Sequence, residues 1–233
     1  MWVVAVVMAL PGVCGAIYYL HVLDRAAWFF EMRSVTGSEW LPPGAGFFAG
    51  LFFGFLRKRR PVLALMIPVI LIVGLVLPWV KPLIRPLDDS IFRDRWSAAV
   101  CLQSTGSTCG PSCTATLILR FPNQGKVMEK DLALECYTSS SGTENWYLAR
   151  ALRRRGIPAR YIIKNAQPDT LEFPSIAGVQ LGGPGGIGHF ITILGRNGNK
   201  YIVGDPISGQ SEQDLAMLQG RYYFTGFFLV AGK

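Results

Sequence analysis

Three uncharged, apolar segments in the N-terminal third of the chain constrain its fold most strongly. They run from Trp2 to Leu23, from Trp40 to Leu56 and from Pro61 to Val80, and consist almost entirely of aliphatic and aromatic residues, glycine and proline. A helix that crosses a bilayer needs about 20 such residues, because the hydrocarbon core is about 30 Å thick and each residue rises about 1.5 Å. We therefore predict a membrane anchor over residues 1–82 with three transmembrane helices, at 2–23, 40–56 and 61–80. The middle segment is at the lower length limit and fits either a thin span or a re-entrant one.

The basic residues around these segments indicate the orientation of the anchor, although they point in two directions. The turn Arg57-Lys58-Arg59-Arg60 is costly to translocate, which favours the cytoplasm for the turn and the extracytoplasmic side for the chain after Val80. Six basic residues that flank the other ends favour the opposite orientation: Arg25, Arg33, Lys81, Arg85, Arg93 and Arg95. We give the short cluster more weight. Because Met1-Trp2-Val3 lacks the basic start of a cleavable signal peptide, we expect an uncleaved integral protein of the cell inner or plasma membrane.

The composition excludes two other classes of protein. Hydrophobic residues make up 50% of the chain and charged residues only 16%, against about 25% charged in an average soluble domain, which excludes a disordered chain. The net charge of +8 is not gathered into a basic stripe, so we expect no nucleic acid partner. The rest of the chain is predicted to form a juxtamembrane linker, residues 83–96, and one globular domain, residues 97–233.

The pattern of the second half predicts helices first and strands afterwards. Helices are predicted at 109–120, at 129–136 and at 144–155, the last with Thr143 as its N-terminal cap. Strands are predicted at 159–164, 175–181, 189–194, 201–203 and 222–230, with a tight turn at Asn197-Gly198. Helices followed by an antiparallel sheet indicate the α+β class.

Cys109 is the first candidate for chemistry, since it follows a loop rich in glycine, serine and threonine and opens a predicted helix. The partial positive charge of a helix N-terminus favours a thiolate and can lower a cysteine pKa from about 8.5 into the range of roughly 3.5 to 7.5. Free backbone N–H groups there can also stabilise an oxyanion when the thiolate attacks an acyl carbon. Simple packing is the other explanation for a cysteine at this position.

Three further residues complete a constellation with Cys109. His189 is the only histidine outside the predicted membrane anchor, and a nucleophilic cysteine needs such a base. Asp205 ends the strand that follows the strand of His189, so adjacent antiparallel strands would bring it beside His189 to orient the ring. Gln103, six residues before Cys109, can fold back and donate its side-chain NH2 to the oxyanion. Taken singly, the alternatives are a structural histidine, an Asp-Pro turn and a surface glutamine.

These residues occur in motifs whose order resembles a known family. Gln-x5-Cys-Gly-Pro-Ser-Cys from Gln103 to Cys113, then Gly188-His189-Phe190 and Asp205-Pro206, resemble the papain-like cysteine peptidases of the bacteriocin-processing (double-glycine leader peptidase) family, over roughly residues 97–230. The resemblance implies a papain-like α+β fold, with N-terminal helices packed on an antiparallel sheet, and cleavage of leader or secreted peptides without a metal or organic cofactor. It also implies that Cys109 is the nucleophile, His189 the general base, Asp205 the orienting group and Gln103 the oxyanion donor.

The sequence departs from this family in two respects and leaves two other functions open. It contains no Walker-type Gly-x4-Gly-Lys-Ser/Thr motif of an ATP-binding transporter module, and three predicted spans precede the domain instead. The expected partners are a peptide or protein substrate, the lipid bilayer and an unidentified membrane protein. The alternatives are a catalytically silent peptide-binding or assembly module, which has no need of all four residues, and a papain-like amidase or transpeptidase.

The remaining cysteines and one basic run have structural explanations. Cys14 lies in the first predicted span and is expected to pack there, whereas two of Cys101, Cys113 and Cys136 would form a disulfide only in an oxidising compartment. A zinc site is disfavoured, because only one pair has the Cys-x2–4-Cys spacing. The run Arg153-Arg154-Arg155 suits the C-terminus of a helix or, alternatively, a docking patch for an acidic peptide or anionic lipid.

Overall fold

A computed structural model of the 233-residue chain describes residues 23, 25–38, 61–62 and 81–232. The chain divides into two compact units, Met1–Ile84 and Arg85–Lys233. The described part of the first unit contains helix α1 (Ala27–Ser34), in which Phe29 and Phe30 are buried. None of the helices in the described residues is long and apolar enough to cross a membrane, and the three predicted spans lie almost wholly outside those residues.

The second unit has the α+β architecture predicted from the sequence. It begins with a 3-10 turn (Asp89–Ile91) and a small antiparallel pair, β1 (Arg95–Ser97) and β2 (Val100–Leu102). Three helices follow: α2 (Cys109–Ile118), α3 (Glu129–Glu135) and α4 (Asn145–Arg154). The rest consists of six strands and one more helix, in the order β3 (Ala159–Ile163), β4 (Ser175–Leu181), β5 (Ile187–Asn197), β6 (Lys200–Asp205), β7 (Gly209–Asp214), α5 (Leu215–Arg221) and β8 (Tyr223–Ala231).

The six strands form one antiparallel sheet in the order β3-β8-β4-β5-β6-β7. Strands β5 and β6 form a hairpin in which Asn197 pairs with Lys200, as the Asn197-Gly198 signal predicted. In the same hairpin Thr192 pairs with Gly204, so the first residues of β5 lie near the end of β6. This register brings the position of His189 close to that of Asp205.

Apolar side chains of the sheet pack with α5 into a continuous core. Its members come from the central strands, from α5 and from the segments before β4 and β8, and they include Leu171, Ala177, Val179, Ile191, Ile193, Tyr201, Val203, Leu218, Tyr222, Phe224, Phe228 and Val230. Burial of this apolar surface is the main stabilising contribution to such a fold. The packed sheet therefore supports the residues at the ends of its strands.

Helix α2 is the most deeply buried helix of the described part of the second unit. All ten of its residues are buried, and it packs against β2, β5, α3 and α4. Gly110 permits the close approach of α4, because a Cβ there would meet Leu148 at 3.3 Å and the Cβ of Thr143 at 3.2 Å. The helix start is thus fixed between the helical layer and the sheet.

Some details of the predicted elements are wrong. The N-cap of α4 is Glu144 without a side-chain cap, and Thr143 does not cap the helix, because its hydroxyl is hydrogen-bonded to Thr138 at 2.8 Å. Strand β7 and helix α5 were not predicted, nor was the pair β1–β2. The predicted linker, residues 83–96, contains the Asp89–Ile91 turn and the start of β1.

Candidate active site

Cys109 is the first residue of α2, and its side chain is buried. Thr108 closes the preceding loop through two hydrogen bonds to Thr105. The Thr108 hydroxyl donates to the carbonyl of Thr105 at 3.1 Å and accepts from the backbone N–H of Thr105, also at 3.1 Å. Ser112 N–H makes the first helical bond, to Thr108 O at 3.1 Å. N–H groups of the first turn of a helix have no partner within the helix. The sulfur therefore sits where such groups and the helix dipole favour negative charge.

His189 lies near the start of β5, where its ring is hydrogen-bonded to Asp205 and interacts electrostatically with Cys109. Its Nε2 lies 3.1 Å from Oδ1 of Asp205, and the other ring nitrogen, Nδ1, is left for Cys109, with which the ring also interacts. Burial lowers the pKa of His189, but the hydrogen bonds to Asp205 and Cys109 outweigh it and raise the pKa from 6.5 to about 9. The arrangement thus favours an imidazolium between a sulfur and a carboxylate.

The Asp205 carboxylate is buried and accepts several further hydrogen bonds. Ile207 N–H donates to Oδ1 at 2.8 Å, while Oδ2 accepts from Ser208 Oγ at 3.0 Å, from Arg221 at 3.2 Å and from the hydroxyl of Tyr222 at 2.7 Å. Burial alone would raise the pKa of Asp205, but the hydrogen bonds from His189, Ile207 and Tyr222 lower it well below its usual range. Asp205 is thus an anion across the neutral pH range.

Ser208, Arg221 and Tyr222 were missed by the sequence reasoning. They lie in the turn after β6 and around the end of α5, elements with no strong signal in the sequence. Burial and the bond to the Asp205 anion raise the pKa of Tyr222, so its hydroxyl remains a donor. These three side chains hold the carboxylate that in turn contacts His189.

Gln103 is attached to the same end of the sheet through its backbone. Its N–H donates to the carbonyl of Pro206, the residue after Asp205, at 2.9 Å. Its side-chain Oε1 is buried and has no hydrogen-bond partner among the described residues. Of the four predicted site residues, the structure joins His189 and Asp205 by a hydrogen bond and brings Cys109 into electrostatic contact with His189. It joins Gln103 to Pro206, the residue that follows Asp205.

The other described cysteines are buried free thiols. Cys113 donates to the carbonyl of Phe190 at 3.3 Å, and Cys136 to that of Tyr147 at 3.6 Å. Burial, reinforced by the charge of Glu129, raises the pKa of Cys101 to about 12, and burial raises the pKa of Cys113 and of Cys136 as well. These thiols therefore stay protonated. Within the described ranges, no group of three or more His, Cys, Asp or Glu side chains could hold a metal ion.

The basic run at the end of α4 makes intramolecular contacts. Arg153 donates to the carbonyl of Ala159 at 2.6 Å and 3.1 Å, and Arg155 pairs with Glu135 at 2.7 Å. Arg154 contacts the same glutamate at 3.4 Å. These contacts favour the structural explanation of the run over a docking patch.

The chain is similar to one protein family and to several solved structures. A sequence profile of the peptidase C39 family matches residues 97–232. The peptidase domain of Streptococcus ComA, a bi-functional ABC transporter involved in a quorum sensing pathway, is 20% identical, with a TM-score of 0.47 over 56% of this chain and 95% of that one. A double glycine motif protease from an AMS/PCAT transporter, in complex with the leader peptide, is 20% identical, with a TM-score of 0.46 over 60% of this chain and 93% of that one. The peptidase domain of Streptococcus mutans ComA is 19% identical, with a TM-score of 0.43 over 58% and 99% of the two chains.

No curated protein matches the sequence. The family profile nevertheless spans more than half of the chain, and its bounds enclose all of the helices and strands from β2 to β8. The predicted papain-like fold, with helices packed on an antiparallel sheet, is thereby confirmed. This chain belongs to the peptidase C39 family and is a cysteine peptidase.

Proposed function

We propose that this protein is a membrane-anchored peptidase in which Cys109, His189 and Asp205 form the catalytic triad and Gln103 donates to the oxyanion. The observation that carries the proposal is the environment of His189. Its ring is buried and interacts with both Asp205 and Cys109, and the 3.1 Å bond to Asp205 occupies Nε2, so Nδ1 is the nitrogen left for Cys109. A cysteine nucleophile, its base and an orienting anion need this arrangement.

The reaction begins with the transfer of the Cys109 proton to Nδ1 of His189. The thiolate attacks the carbonyl carbon of the scissile peptide bond, and the electron pair of the C=O bond moves to the oxygen. The resulting oxyanion accepts hydrogen bonds from the side-chain NH2 of Gln103 and from the backbone N–H of Cys109. Collapse of this intermediate breaks the C–N bond, while His189 gives its proton to the departing amine.

A water molecule then completes the cycle. His189, now neutral, takes a proton from the water, and the hydroxide attacks the thioester carbonyl. The second oxyanion uses the same donors, and its collapse releases the carboxylic acid product and returns the proton to the Cys109 sulfur. Asp205 keeps its negative charge throughout and supports each imidazolium state of His189.

The proposed substrate is a leader or other secreted peptide, cleaved after a double glycine. The motif order from Gln103 to Asp205-Pro206 supports this substrate, because it resembles that of double-glycine leader peptidases. The apolar segments at 2–23, 40–56 and 61–80 support attachment to the cell inner or plasma membrane. The basic turn at 57–60 supports an extracytoplasmic peptidase domain, where an unidentified membrane protein is a further expected partner.

The decisive experiment compares Cys109→Ala with a matched cysteine variant. We expect Cys109→Ala to lose cleavage of a Gly-Gly peptide and alkylation by iodoacetamide at low pH, while Cys136→Ala, which removes a thiol bonded only to the carbonyl of Tyr147, retains both. Cleavage that survives in Cys109→Ala would refute the assignment. A second peptide with Ala-Ala in place of Gly-Gly tests the substrate.

Topology is tested separately. Met217 is 61% exposed on α5, which lies more than a hundred residues after the predicted spans in the sequence. We expect Met217→Cys to react with a membrane-impermeant maleimide in intact cells. Reaction only after permeabilisation would place the peptidase domain in the cytoplasm instead.

A further inference from the structure

Glu129 is a fully buried carboxylate that the triad does not use. It is the first residue of α3, and its exposure is 0%, whereas Asp131 is exposed and Glu135 partly exposed on the same helix. A buried carboxylate is unfavourable unless hydrogen bonds replace those of water. No cation pairs with Glu129 among the described residues, so its bonds to neutral donors stabilise the charge.

Those donors come from two different elements. Oε1 of Glu129 accepts the backbone N–H of Ser104 at 2.8 Å and the hydroxyl of Ser112 at 3.2 Å. The hydroxyl of Ser104 donates to Oε2 and itself accepts the backbone N–H of Arg93 at 2.9 Å. The backbone N–H of Glu129 in turn donates to Asp94 at 3.1 Å. One carboxylate therefore ties the loop before α2 to the helix itself.

Both elements carry a donor of the proposed oxyanion hole. Ser104 follows Gln103 directly, and the N–H of Gln103 is fixed on its other side by Pro206 at 2.9 Å. Ser112 lies one turn after Cys109 in α2. The distance between the Gln103 side chain and the Cys109 N–H therefore depends on how the loop is joined to the helix.

We propose that Glu129 is a positioning residue of the oxyanion hole, which holds the Gln103 loop at a fixed distance from the N-terminus of α2. The proposal rests on the proposed function, in which Gln103 and the Cys109 N–H bind the oxyanion. A charged hydrogen-bond acceptor suits this role, because bonds to an ionised group are shorter and stronger than those to a neutral one. The carboxylate also takes two bonds from one residue, so Ser104 is held in both position and direction.

The test separates the oxyanion hole from the nucleophile. Peptide cleavage forms an oxyanion, whereas alkylation of Cys109 by iodoacetamide displaces iodide without one. In the full-length protein we expect Glu129→Ala to lower kcat about ten- to a hundredfold, as small displacements of catalytic groups do, with KM changed less than about twofold. The rate of alkylation, followed against pH, should stay that of the wild type.

A double-mutant cycle links this loss to Gln103. If Glu129 acts through Gln103, then Glu129→Ala should cost little more in a Gln103→Ala background. The matched control is Glu135→Gln on the same helix, which breaks an ion pair with Arg155 and should leave kcat unchanged. If the fold-losses in kcat of the two single variants instead multiply in the double variant, the two residues act independently and the proposal is overturned.

Two other results would also overturn it: an unchanged kcat in Glu129→Ala, or an alkylation rate that falls as far as kcat does. Should Glu129→Ala fail to fold, Glu129→Gln and Ser104→Ala carry the same cycle, because each keeps part of the contact. Each of these two variants should lower kcat, by a smaller factor than the loss of about ten- to a hundredfold expected for a folded Glu129→Ala protein. The proposed function fails differently, since cleavage by Cys109→Ala would show that no Cys109 thioester is formed.

Discussion

The charge of Asp205 determines how far into the alkaline range His189 can keep its proton, and Asp205→Asn tests this directly. The substitution keeps the shape of the side chain and removes its charge. Asp205 is the largest of the contributions that raise the pKa of His189, followed by Cys109, and both act against burial. Without the carboxylate, burial and the sulfur alone determine the pKa of the ring.

The size of the expected effect follows from the ordinary pKa of histidine and the pKa of His189 in this site. The pKa of His189 rises from 6.5 to about 9, which corresponds to roughly 3 kcal/mol in favour of the imidazolium at about 1.4 kcal/mol per pKa unit. A charged group of opposite sign at hydrogen-bond distance shifts a pKa by about one to three units. We therefore expect the pKa of His189 to fall by more than about one unit.

The assay is kcat/KM for peptide cleavage as a function of pH. Its alkaline limb reports the group of the free enzyme that must be protonated, which in the proposed mechanism is His189, the donor to the departing amine. In the wild type the limb should lie near pH 9, and in Asp205→Asn it should move by more than about one unit towards neutral pH.

Asp214→Asn is the matched control for this substitution. Asp214 caps α5 by accepting the N–H of Met217 at 2.8 Å, and asparagine caps helices equally well. Its alkaline limb should coincide with that of the wild type. The electrostatic reasoning would be refuted if the alkaline limb of kcat/KM stayed at the same pH in Asp205→Asn, or if it moved equally far in Asp214→Asn.

Three further predictions concern stability. Tyr222→Phe removes the 2.7 Å bond to the buried Asp205 anion and should lower the free energy of unfolding in urea by about 1–3 kcal/mol; an unchanged value would contradict this. Gly226→Ala, at φ 86° with its Cβ directed into the carbonyl of Lys164, should cost more than about 2 kcal/mol in the same assay, and a neutral effect would be inconsistent with that geometry. Because the pKa of His189 is raised, its stabilising contribution is complete below pH 6.5 and is lost as pH rises through about 9, so the stability gap between wild type and His189→Ala should narrow over that range rather than widen.

Local signals in the sequence predicted the elements that carry Cys109, His189 and Asp205. The loop rich in glycine, serine and threonine marked the start of α2, and Asn197-Gly198 marked the β5–β6 hairpin. The hairpin register then follows from antiparallel pairing, which explains why His189 and Asp205 were predicted to meet.

Elements whose conformation depends on distant contacts were not predictable. Strand β7 reads Gly-Gln-Ser-Glu-Gln-Asp, a polar edge strand without apolar alternation that forms only because β6 pairs with it. Thr143 has the residue type of a cap but bonds to Thr138 instead. Glu129 is placed in the first turn of a helix, where an acid usually faces solvent, and only the tertiary structure buries it.

The position of β8 inside the sheet has a consequence for when the sheet can assemble. Strand β8 is last in the chain among the described strands, yet it lies between β3 and β4 and pairs with both. Tyr222, which bonds to Asp205, immediately precedes it. A growing chain in which residues 222–231 have not yet been synthesised lacks the strand that joins β3 to the rest of the sheet and one donor to the Asp205 carboxylate. The complete sheet and the full set of donors to Asp205 can therefore assemble only after residues 222–231 have been synthesised.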